Sequence, residues 1–172
     1  MKKIAVLTSL FGSKSPLRSL SNEEASYEVD YFAFVDRVHE ETTGWKQIVS
    51  PSFSCDPMYS HRRDAKPYKL APYLFLQDYD VFLWVDSCQL IKMDPNRIRK
   101  EYLRDNDVAL FDHPYRNCAW AEGYVCITQS GVGIDHPDLI SSQLKFYETV
   151  GMPKNFGLYE MSCYMIRNND VT

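Results

Sequence analysis

The sequence predicts an α/β fold: a single domain over residues 1–172, with a mixed, mostly parallel sheet flanked by helices. Three observations carry this. The run Val81-Phe82-Leu83-Trp84-Val85 is apolar on both faces of a two-residue period and ends abruptly in Asp86, as an interior strand covered on both sides does. Tyr31 to Val35 repeats the pattern and closes on Asp36. Stretches with helical rather than alternating spacing lie on either side of the central run.

Taken in order, Ile4 to Leu7 reads as a first strand feeding a surface loop, since the Ser-, Lys- and Pro-rich stretch to Glu24 has no clear period. Tyr31 to Val35 is the second strand, and Trp45 to Val49 alternates as a less buried third, ended by Pro51. From Ala65 to Leu76 apolar positions recur at helical spacing. Pro67 can open a helix, but Pro72 removes a hydrogen bond inside one, so a kinked helix or two short ones are expected. Beyond the central strand, Asp94 before Pro95 is a helix start. Val108 to Phe111 is a further short strand that closes on Asp112-His113-Pro114. An amphipathic helix is expected from Ser141 to Val150, stopped by Gly151 and Pro153, and a last strand runs from Leu158 to Ile166 and reaches Arg167. His136, ahead of Pro137, reads as a loop residue.

A net charge of -4 gives no electrostatic reason to expect nucleic acid or an anionic membrane as partner, so any phosphate contact is expected to be local. The first apolar run is too short for a secretory leader or a membrane span, so a soluble, cytoplasmic protein is expected. The five cysteines, Cys55, Cys88, Cys118, Cys126 and Cys163, include no Cys-x-x-Cys pair and read as reduced thiols. Cys88 and Cys126 sit among apolar neighbours, which suggests packing.

Asp36, Asp86 and Asp112 each follow an apolar run, and parallel strands would bring all three to one edge of the sheet, where open α/β sheets bind ligands. A lone acid there is commonly a turn or cap residue; three together favour a site. Arg63, Lys66 and Lys69 recur three residues apart and would share one helix face, either a solvated one or one that meets a multiply charged anion. His113 reads equally as a loop residue or a ligand, and Glu160 inside the last strand needs a partner if buried. Together these parts suit a nucleotide diphosphate, with cations for its oxygens and acids for a metal or for sugar hydroxyls. As a strand-end carboxylate facing solvent, Asp86 is expected to contribute little to packing.

The segment Arg63-Asp64-Ala65-Lys66-Pro67-Tyr68-Lys69-Leu70-Ala71-Pro72, then Tyr79-Asp80 and Leu83-Trp84-Val85-Asp86, resembles the core motif of the TOD1/MUCI70 glycosyltransferase-like domain of plants, once called DUF616. Weaker matches are the opening Ile4 to Gly12 segment, Phe32 to Asp36, Asp94-Pro95, Asp112-His113-Pro114 with Glu122, and Gly157-Leu158 with Arg167-Asn168. The resemblance implies a GT-A-like (Rossmann-like) fold and a glycosyltransferase, related to retaining enzymes, that moves a sugar from a nucleotide-diphosphate sugar to a glycan or other hydroxyl acceptor. It implies donor binding by Thr8, Ser9, Asp36, Arg63, Lys66, Lys69 and Asp86. Catalytic candidates are Asp86, Asp112, His113 and Glu160, and candidate acceptor or sugar contacts are Glu122, Gly157 and Arg167. Asp86 and His113 would hold a divalent metal, Mn2+ or Mg2+. Asp86-Ser87-Cys88 lacks the second acid of an Asp-x-Asp metal motif. No Arg-Asp-Gln segment follows Arg167, so a fragment or a compact relative is expected. A nucleotide-sugar or glycan-binding module without turnover is the alternative function, and an unrelated nucleotide-binding α/β protein the third.

Overall fold

A computed structural model describes residues 3–21, 26, 28–54, 60–129 and 135–169. The elements are β1 (Ile4–Leu10), β2 (Val29–Val35), β3 (Lys46–Val49), α1 (Ser60–Asp64), α2 (Lys66–Leu70), β4 (Val81–Val85), α3 (Pro95–Ile98), β5 (Val108–Asp112), α4 (Ala119–Thr128), α5 (Pro137–Thr149) and β6 (Tyr159–Arg167). The strands form one mixed sheet in the order β3-β2-β1-β4-β6-β5. β1 runs parallel to β2 and β4, β2 runs parallel to β3, and β6 is antiparallel to β4. By contacts the chain falls into two compact units, one ending at Cys55 and resuming over Ser60–Leu110 and from Ser162 on, the other built chiefly of Phe111–Met161.

In the first unit every residue of β4 is buried, as a strand apolar on both faces requires. Val81, Leu83 and Val85 join Ile4, Val6, Tyr31 and Met165 in the core on one face. On the other face Phe34 stacks on Tyr68 of α2 with ring centroids 4.0 Å apart, and Phe11 and Phe75 flank the pair. Tyr68 is 2% exposed. This aromatic stack is what seats the short α2, since a five-residue helix has no stability of its own.

The proline-rich stretch divides as its composition demands: α1, then α2 with Pro67 in its first turn, then a 3-10 turn over Pro72–Leu74. Asp94 caps α3 by accepting the Asn96 N–H at 2.8 Å, with Pro95 at the first helical position. A π-helical turn, Arg99–Leu103, continues it and drives Leu103 into the core.

Cys88 departs from its expected packing role: it is exposed, in the turn that leaves β4. Cys118 is buried, Cys126 and Cys163 are half-buried, and Cys55 lies outside the described residues.

In the second unit, α4 has no counterpart in the sequence pattern, because its residues are apolar almost throughout and Gly123 interrupts them. The glycine has a packing reason. A Cβ at Gly123 would lie 2.7 Å from Leu144 Cδ1, so its absence lets α4 and α5 approach. The amphipathic helix begins at Pro137, one turn earlier than its apolar positions suggest, with His136 just ahead of it. No helix among the described residues is long and apolar enough to cross a membrane.

Candidate functional site

The chain order of the parallel strands reverses between β1 and β4, which makes the carboxyl ends of these two strands a switch-point crevice. Leu7 pairs with Phe32 and Trp84. Ser9 and Asp86, two residues beyond the Leu7–Trp84 pair, therefore share the face that α2 covers. Asp36, two residues beyond Phe34, leaves the sheet on that face too.

Lys69 of α2 reaches over this face to Asp86: its Nζ lies 2.9 Å from Oδ1, and 5.4 Å from the centre of the Trp84 ring. The Trp84 indole N–H also donates to Asp86 Oδ1, at 2.7 Å. The Lys69 side chain is 11% exposed and that of Asp86 is 37% exposed, so the carboxylate forms the outer half of the pair. The Tyr164 hydroxyl donates to the Lys69 carbonyl, which holds the helix at this position. Burial raises the Tyr164 hydroxyl and the Cys163 thiol above their ordinary ranges, and the negative charge of Asp86 pushes the same way.

On the other side of β1, Asp36 Oδ2 accepts the Gly12 N–H at 2.7 Å, and the Arg37 guanidinium donates to the Ser13 carbonyl at 2.6 Å. Asp36 therefore shapes the loop that leaves β1. Its Oδ1 is buried with no hydrogen-bond partner among the described residues. Gly12 has φ +63°, and a Cβ there would lie 2.1 Å from the His61 ring. The opposite side of the crevice holds a cleft of about 200 Å³ lined by Leu10 at the end of β1, by Ser13, Ser15, Leu17 and Arg18 after it, and by Ser87 and Cys88 after β4. Arg18 spans this cleft, donating to the carbonyls of Ser19 at 2.9 Å and Gln89 at 3.0 Å.

The structure thus brings Ser9, Asp36, Lys69 and Asp86 to one face of one edge. Thr8 is fully buried on the other face of β1, with its hydroxyl among the core side chains and no partner among the described residues. The basic trio is divided: Arg63 is half-buried on α1, Lys66 is exposed on α2, and Lys69 turns inward to Asp86. Arg167 stands apart from this edge. It pairs with Val81 at the amino end of β4 and gives its guanidinium to the Arg104 carbonyl at 2.7 Å.

Asp112, His113, Glu122, Gly157 and Glu160 belong to the second unit. There Arg116 and His113 both meet Glu122 Oε2, the histidine through Nε2 at 3.6 Å. His113 Nδ1 accepts the backbone N–H groups of Tyr115 and Arg116 at 3.2 and 3.1 Å, and the Arg116 guanidinium lies 3.3 Å from Nε2. Cys126 Sγ lies 3.5 Å from Glu122 Oε1. Asp112 is exposed at the end of β5, and Glu160 is half-buried in β6. Gly157 has φ +104° and donates its N–H to the Asn117 carbonyl, a turn role that itself calls for glycine.

A bound Mn2+ or Mg2+ needs several oxygen ligands. Among the described residues no three His, Cys, Asp or Glu side chains converge, Asp86 already faces an ammonium, and both His113 nitrogens are engaged.

Trp84 and Tyr164, which hold Asp86 and Lys69, were legible only in part: Trp84 lies two residues before Asp86 and so on its face, whereas nothing in the sequence links Tyr164 to Lys69. Asp64, inside the basic motif, accepts hydrogen bonds from the Ser52 hydroxyl at 2.7 Å and the N–H groups of Phe53 and Ser54 at 2.7 and 2.9 Å.

No family model matches the chain, and neither a curated protein nor a solved structure matches it significantly.

Proposed function

We propose that the chain is a GT-A-type glycosyltransferase that moves a sugar from a nucleotide-diphosphate sugar to a hydroxyl acceptor. The observation that carries this reading is the switch-point crevice between β1 and β4, with Asp86 and Lys69 on one side and the Asp36-pinned loop on the other. Support also comes from the local sequence resemblance, whose core motif contributes Lys69 from α2 and Asp86 from the end of β4.

In this reading the donor lies along the carboxyl ends of β1 and β4. The bond between the sugar anomeric carbon and the diphosphate oxygen breaks, and the diphosphate leaves with the bonding electron pair. The acceptor oxygen then bonds to that carbon and gives up its proton. Cationic side chains on α1 and α2 stabilise the charge that develops on the leaving oxygen. Asp112, His113, Glu122, Gly157 and Glu160 are candidate acceptor or sugar contacts carried by the second unit, where Glu122 is already engaged by Arg116 and His113. Arg167 is the weakest candidate, since its guanidinium already serves backbone carbonyls.

The test is titration with UDP and GDP, followed by incubation with UDP- and GDP-sugars and measurement of free diphosphate and transferred sugar. The expected result is binding with turnover. Binding without turnover would favour a nucleotide-sugar-binding module, a reading that the Asp86–Lys69 pair itself recommends, since the carboxylate is already held by an ammonium. No binding of either nucleotide would overturn both.

A further inference from the structure

We infer that Lys69 serves as the resident cation of Asp86, so that the crevice takes a nucleoside diphosphate without a divalent metal; this rests on the reading of the crevice as a diphosphate site. An ammonium has three N–H donors. Lys69 spends one on Asp86 Oδ1, and no other acceptor meets it among the described residues, although its side chain is 11% exposed. A nearly buried ammonium with unused donors is costly unless something completes it. A phosphate oxygen would do so, because a charge-assisted N–H to phosphate bond is among the stronger polar contacts.

Asp86 shows the same incompleteness from the other side. Both of its contacts, from Lys69 and from the Trp84 indole, fall on Oδ1. Oδ2 has no partner among the described residues on a side chain that is 37% exposed, and it is placed to accept a hydroxyl of the sugar. A carboxylate paired with an ammonium also no longer repels an incoming diphosphate, which is one service a bound metal would otherwise perform. The pair is built rather than incidental: the indole fixes the carboxylate, the ring face sits under the ammonium, and Tyr164 fixes the backbone of Lys69.

The experiment is calorimetric titration of the intact chain with UDP and GDP in EDTA and, separately, in Mn2+. Equal affinity in the two buffers is the expected result. Binding that needs Mn2+ would overturn the inference while leaving the diphosphate site standing, whereas no binding in either buffer would remove the functional reading together with it. Lys69→Met should weaken binding in EDTA on the order of ten- to a hundredfold, and Lys69→Arg should restore most of it. Unchanged affinity in Lys69→Met would equally overturn the inference. Should Lys69→Met fail to fold, the EDTA comparison on the unaltered chain decides by itself.

Discussion

Asp64 is fully buried, and its carboxylate is surrounded by the donors of Ser52, Phe53 and Ser54. Burial works to raise this carboxyl, but the hydrogen bonds outweigh it and hold the group below its ordinary value. Its contribution to stability is therefore complete above the unfolded carboxyl's 3.8 and is lost as the pH falls through the folded value. Asp64→Ala should cost about 3 kcal/mol in urea unfolding at neutral pH, and the deficit should shrink on acidification below about pH 4. A deficit independent of pH would mean that the charge is immaterial. Asp86 calls for a revised expectation. Its carboxylate neutralises a nearly buried ammonium, so Asp86→Asn should lower stability by about 1–3 kcal/mol as well as weaken UDP or GDP binding. Thermal melts alongside titration check both, and a loss of stability with unchanged affinity would make Asp86 a structural anchor alone.

Among the elements, the α1–α2 pair shows how much a short helix depends on what it covers. Neither helix exceeds five residues, and Pro72 ends the second in a 3-10 turn, so the stack of Tyr68 on Phe34 carries their placement. Tyr68→Ala should cost about 3–5 kcal/mol. Because Lys69 is the next residue, that variant should also lose the Asp86 contact, visible as weaker diphosphate binding under conditions where the fold persists. In the second unit the close approach of α4 and α5 at Gly123 predicts that Gly123→Val destabilises by about 1–3 kcal/mol, measured by chemical unfolding. No loss there would mean that Leu144 moves aside freely.

At the scale of the whole molecule, the strand order 3-2-1-4 and its reversal create the crevice, and the buried β4 supplies its rigid wall. Leu83→Ala in that wall should cost about 2–5 kcal/mol in an unfolding titration, since the side chain is 1% exposed in the core. Much of this frame is legible in the residues. Runs apolar on both faces mark β4 and β2, Asp94-Pro95 marks α3, and two prolines divide the α1–α2 stretch. α4 was hidden because an apolar segment without a period carries no helical signature, and the glycine in it reads as a breaker until Leu144 is seen beside it.

The sequence alone determined that buried strands end in acids and that a basic motif precedes the central one, because alternation and composition are local properties of the chain. Only the tertiary structure decided which of those charges meet. It turned Lys69 onto Asp86 while leaving Lys66 exposed, carried Arg167 to the far end of β4 through the antiparallel course of β6, and pinned the loop after β1 to Asp36. Helix position and strand direction fix such partners, and both depend on contacts far apart in the chain, such as that between Tyr164 and Lys69, which no local pattern encodes.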